Sequence, residues 1–94
     1  MRILVIGSNN ANSRMVFSAL DAINKEKKVE RVFVGSSSAA DRLAIMWAMS
    51  NDIPTSNAWD TRKTNLCLCF APGANSAHYA QVAKAAGCEV TYYF

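Results

Sequence analysis

The stretch Leu66-Cys67-Leu68-Cys69-Phe70 is apolar at every position. A strand with one wet face alternates apolar and polar residues, so a run with no polar position needs both faces covered, as in the centre of a parallel sheet. Ala71-Pro72-Gly73 closes the run, and Asn75-Ser76 then cap a helix that carries Val82, Ala83 and Ala86 and stops at Gly87. Glu89 to Phe94 reads as a last strand.

The same strand, loop and helix succession recurs towards the N-terminus. Residues 2–7 are a short apolar run ending at Gly7, followed by Ser8-Asn9-Asn10 and a helix-period segment (Met15, Val16, Leu20, Ile23) reaching about Lys27. Val29 to Val34 is a second strand closed by Gly35. Ser36-Ser37-Ser38 opens a second helix, with Leu43, Ala44, Trp47 and Ala48 at helical spacing, that runs to about Ser50. Ile53-Pro54-Thr55 reads as a short edge strand, because proline is tolerated where its missing N–H is not needed. Strands alternating with helices give a parallel sheet with right-handed crossovers. The predicted fold is α/β, a Rossmann-like open parallel five-stranded sheet in the order 3-2-1-4-5 with three helices. Residues 1–94 form a single domain.

Composition narrows the function. The chain has 94 residues, 51% of them hydrophobic and 18% charged, with four Gly and two Pro, which excludes a disordered or low-complexity segment. The net charge of +3 is spread along the chain, and its only run, Lys25-Glu26-Lys27-Lys28, is too thin for a nucleic-acid footprint. Cys67, Cys69 and Cys88 are odd in number, and Cys67-x-Cys69 matches neither a zinc knuckle nor a redox C-x-x-C. Both residues point to one sheet face and read as small core residues, with no metal implied. A reduced, cytoplasmic compartment fits the free thiols. The apolar run Ile3-Leu4-Val5-Ile6 is too short for a signal peptide or a bilayer span, so no membrane association is expected.

In such sheets ligands bind where the direction of strand growth reverses, here between the first and fourth strands. Three small-residue loops converge there, each feeding a helix N-terminus whose N–H groups and dipole favour an anion. The first supplies Gly7, Ser8 and Asn9. The second supplies Gly35, Ser36, Ser37, Ser38 and Asp41, with hydroxyls for a phosphate or ribose and a carboxylate for a ribose hydroxyl, a loop amide or the helix dipole. One serine capping and the others solvated is the plainer reading of that loop. The third supplies Pro72, Gly73, Ala74, Asn75, Ser76 and His78, with proline fixing the exit angle and Gly73 permitting positive φ.

His78 is the one histidine, yet no Ser, Cys or acid is spaced to form a relay with it, and a helix N-terminus opposes its protonation. A neutral imidazole against a ligand, or plain exposure, suits it better. The loop after the first strand lacks the second and third glycines of the dinucleotide fingerprint, and Val34-Gly35 stands where that fingerprint has an acidic residue. No Gly-Lys-Ser/Thr follows a strand, so there is no P-loop. No cofactor is implied.

Between Thr55 and Asn65 the chain crosses from the edge back past the centre in about 11 residues of about 3.3 Å each, too few for a proper crossover helix. One apolar sheet face is then expected to be partly bare, sealed by a homo-oligomer with Trp59 or the tail Tyr92-Tyr93-Phe94 at the contact. Trp59 could equally cover a base.

Met1 to Ser8, the block from Gly35 to Ala44 with Trp47-Ala48, and Phe70-Ala71-Pro72-Gly73 with Ala85-Ala86-Gly87 resemble the SLOG superfamily of Rossmann-like proteins, in particular its small stand-alone members. The likeness covers nearly the whole chain except residues 55–65. It implies a nucleotide-derived ligand such as an ADP-ribose-type or cyclic nucleotide signal. One SLOG branch, the phosphoribohydrolases, releases the base from nucleoside monophosphates and carries Pro-Gly-Gly-x-Gly-Thr-x-x-Glu. The matching stretch here is Pro72-Gly73-Ala74-Asn75-Ser76-Ala77-His78-Tyr79-Ala80, so the catalytic acid falls on Ala80. Ser36 and Ala39 also stand where the family prefers Gly. A carboxylate is needed to steer or deprotonate the attacking water, and alanine does neither.

The expected function is therefore non-catalytic binding, for sensing or for sequestration of the kind a virus uses against a host nucleotide signal. Two alternatives are a small phosphoribohydrolase using Asp41, Glu89 or a subunit-donated acid, and a protein-interaction module with a vestigial rim.

Overall fold

The computed structural model describes residues 1–35, 38–57 and 64–94. Eight elements follow in the order β1 (Arg2–Gly7), α1 (Ser13–Glu26), β2 (Arg31–Val34), α2 (Ala39–Ser50), β3 (Thr55–Ser56), β4 (Leu66–Phe70), α3 (Ala74–Ala85) and β5 (Glu89–Tyr93). The five strands form one sheet in the order β3-β2-β1-β4-β5, with every neighbouring pair parallel. The predicted sheet order and three helices are thus observed among the described residues. Trp59 lies outside them.

Strand pleating sorts the apolar residues onto two faces. Ile3, Val5, Val32, Val34, Leu68 and Phe70 face α1 and α2, in one buried cluster with Val16, Leu20, Ala44 and Trp47. Trp47 is 4% exposed, and its Nε1 donates to Asp21 Oδ1 at 2.7 Å, tying α2 to α1. Leu4, Ile6, Phe33, Cys67 and Cys69 face the other way and share a cluster with Ala80, Ala83 and Cys88. Leu66-Cys67-Leu68-Cys69-Phe70 thus divides between the two layers, which is why it holds no polar residue.

The expected bare apolar face is not observed among the described residues. On the α3 side, the outlying positions of β1, β2 and β3 are Arg2, Arg31 and Ser56, and Arg31 Nη1 donates to Ser56 Oγ at 2.8 Å. The one large apolar side chain of β2 there, Phe33, is 6% exposed. Among the described residues, polar side chains thus occupy the outer positions of this face beside β1, β2 and β3.

Candidate functional site

The carboxyl ends of β1 and β4 lie side by side, with Gly7 in register with Phe70. Gly7 is needed for steric reasons. A Cβ there would stand 2.5 Å from the Phe70 carbonyl oxygen and 2.7 Å from Ala40 Cβ, so the backbone of β4 and the first turn of α2 close on it from two sides. Ser8 continues the seam, its N–H donating to Phe70 O at 3.2 Å and its hydroxyl to Ala71 O. Ser8 Oγ in turn accepts from Asn10 N at 3.1 Å.

Asn9 reaches the other way. Its Oδ1 accepts from Ala39 N at 3.0 Å, so a carboxamide from the first loop meets an N–H group at the start of α2 that has no acceptor within the helix. Ser38 is the N-cap residue of α2, and its hydroxyl donates to Asp41 Oδ1 at 3.3 Å. Both are buried, at 6% and 4% exposure.

α3 begins two residues earlier than a cap at Asn75 required. Gly73 is its N-cap residue, and Ser76, at the third helical position, accepts from Gly73 N at 2.7 Å while its hydroxyl donates to Gly73 O at 3.1 Å. Positive φ falls on Ala71, at +48°, whereas Gly73 is extended at −109°. Hydrogen bonds fix that turn from both sides: Ala71 N donates to Tyr93 O at 2.7 Å, and Ala71 O accepts from Ser8. A side chain at Gly73 would meet Ser8 Cβ at 3.8 Å, an ordinary contact.

These loops enclose a hollow of about 300 Å³ lined by Gly7, Ser8, Asn9, Ser38, Gly73, Ala74, Asn75 and Ser76. A second hollow of about 410 Å³ shares Ser38 and is lined by Val34, Gly35, Asp41, Arg42, Ile45 and Asn57. Ten of the fourteen sequence-selected residues therefore line one hollow or the other. Pro72 and His78 line neither; His78 is exposed, with its ring centre 5.9 Å from that of Tyr79. Ser36 and Ser37 lie outside the described residues.

Arg42, Ile45 and Asn57 were not selected from the sequence. Ser38, Asp41 and Ile45 fall at helical spacing on one face of α2, and Asn57 directly follows a parallel strand; either signal could have found them. The first turn of α1 contributes nothing to the two linings, because Ser8 to Asn12 carry the chain away before Asn12 caps α1 by accepting from Met15 N at 2.9 Å. Among the described residues, two helix N-termini border the cleft, not three.

The two ends differ in charge. α2 has Asp41 in its first turn, and α3 has no acid there. N–H groups at Ala74, Asn75 and Ser76 have no acceptor within the helix by geometry. Arg42 is the one cationic side chain lining either hollow among the described residues. Ala80 is fully buried in the apolar cluster between α3 and the sheet.

The thiols are poor nucleophiles. Burial, reinforced by Cys69 and Cys88 nearby, pushes the Cys67 thiol up to about 12, and burial also raises Cys69 against a weaker opposing hydrogen bond with Ser76. All three cysteines are buried thiols, none of them in a disulfide. Among the described residues there is no group of three or more His, Cys, Asp or Glu that could hold a metal ion, and no helix long and apolar enough to cross a membrane.

No protein-family model matches this chain, and no curated protein or solved structure matches it either.

Proposed function

We propose that the cleft binds a nucleotide-derived small molecule without turning it over, a phosphate resting on the N–H groups that open α3 and a ribose lying towards Asp41 and Arg42. The observation that carries this reading is the meeting, at Ser38, of one hollow bordered by an acid-free helix N-terminus with another that holds a carboxylate and a guanidinium. Each hollow is at the small end for a ligand site, where volumes run from about 300 to 1,000 Å³, and the two share Ser38 in their linings. A molecule with anionic and hydroxyl-rich parts suits such a pair, and ADP-ribose-type and cyclic nucleotide signals have both. The SLOG resemblance points to the same ligand class.

Binding without hydrolysis is favoured by Ala80. At the position where the phosphoribohydrolases carry their acid, this chain buries a methyl group against the sheet, away from any water that could attack a ribose. Sensing or sequestration in the cytoplasm, including viral interception of a host signal, is the role that fits. Native mass spectrometry after incubation with ADP-ribose isomers, cyclic dinucleotides and nucleoside monophosphates tests this. A ligand retained and recovered intact after heat release is the expected result. Recovery of free base with a ribose phosphate would make the chain a hydrolase, and retention of none of the panel would leave the rim vestigial.

A further inference from the structure

The two edges of the sheet are built differently. β3 has two residues and is preceded by Pro54, the short, proline-marked edge that resists pairing with another chain. β5 has five residues, no Pro, Lys or Arg, and a register with β4 that runs without a bulge from Glu89 to Tyr93. Its backbone directions follow from one bond. Tyr93 O accepts from Ala71 N, so Tyr93 faces the β4 side, and because successive residues of a strand alternate, Val90 and Tyr92 turn their N–H and C=O groups outward.

We infer that β5 is a self-association edge, at which a second copy of this chain adds antiparallel about a two-fold axis through Thr91. In that register Val90 and Tyr92 of one copy exchange both backbone hydrogen bonds with Tyr92 and Val90 of the other, giving four in all, while the two Thr91 residues form the non-hydrogen-bonded pair on the axis. The side chains agree with the backbone. Val90 and Tyr92 lie on the α3 face, so each copy sets a β-branched residue against an aromatic one, a favourable cross-strand pair.

Tyr92 is 40% exposed and, with Gln81, Lys84 and Ala85, lines a hollow of about 370 Å³ on that face. Val82 of α3, 41% exposed, adds apolar surface to the same helix. Glu89, the only charged residue in the strand, falls opposite Tyr93 and does not meet its own copy. A self-matching edge of this kind selects a second copy over an unrelated strand.

The axis sets the two strand directions opposite, so the two clefts lie at opposite ends of the joined sheet and each stays complete within one chain. Association therefore stands or falls independently of the proposed ligand. Sedimentation velocity on the full chain over roughly 1 to 100 µM is expected to show a monomer–dimer equilibrium. Tyr92→Lys should raise its dissociation constant by at least about tenfold while leaving the far-UV circular-dichroism spectrum of the folded chain unchanged. Thr91→Cys, oxidised with diamide, should yield a disulfide-linked dimer on a non-reducing gel, whereas the parent chain, its thiols buried, yields none. A parent chain that sediments as a monomer throughout, or a Thr91→Cys chain that associates without cross-linking, would overturn the inference. Should Tyr92→Lys disturb folding, the Thr91→Cys result still decides.

Discussion

The openings of α2 and α3 stand on either side of one cleft and are finished in opposite ways. At α2, a carboxamide from another loop, Asn9, meets Ala39 N, and the buried Asp41 puts negative charge into the first turn. At α3, Ser76 closes a local ring with Gly73, and Ala74 and Asn75 remain exposed with no acid nearby. The dipole's positive end is thus offset at α2 and left open at α3. Two helix N-termini on the same rim are therefore not equivalent: one is suited to hydroxyl groups and the other to an anion.

The strongest way to break this arrangement is at the point where both sides touch. Gly7→Ala drives a methyl group into Phe70 O and Ala40, and is expected to destabilise the fold by about 1–3 kcal/mol, as overpacking does, read as a lowered denaturation midpoint. Asn75→Glu tests the α3 side alone. A carboxylate there suits the helix, so thermal stability should hold or rise slightly, while affinity for a phosphate-bearing ligand falls by at least about tenfold in calorimetry. Unchanged affinity would move the anion away from α3.

Asn9→Ala probes the α2 side. Losing the bond to Ala39 N is expected to cost about 1 kcal/mol of stability at equilibrium unfolding. The mildest change is Asp41→Asn, which keeps the shape and removes the charge. It should weaken a ribonucleotide by roughly threefold to tenfold relative to inorganic phosphate, the loss of one charge-assisted hydrogen bond, and equal effects on both ligands would remove the ribose assignment.

Much of this cleft was legible before any coordinates. The parallel sheet followed from the alternation of strands and helices, the central place of β4 from its all-apolar run at 66–70, and the switch-point rule then picked the three loops. The misses have physical causes. Sequence order placed three helix N-termini on the rim, but the path from Ser8 to Asn12 removes α1, a detour no propensity encodes. Glycine at position 73 suggested positive φ, yet tertiary hydrogen bonds placed it on Ala71. Serine 76 looked like a ligand donor, and its hydroxyl serves its own helix.

By itself the amino-acid order determined the alternation of strands and helices, the burial of β4 on both faces and the small residues at the strand ends, because periodicity and residue size act locally. Only the tertiary structure decided which polar groups at the rim are already engaged by their neighbours and which remain open. Those pairings join residues 8 with 71 and 9 with 39, across distances along the chain over which local propensity carries no information.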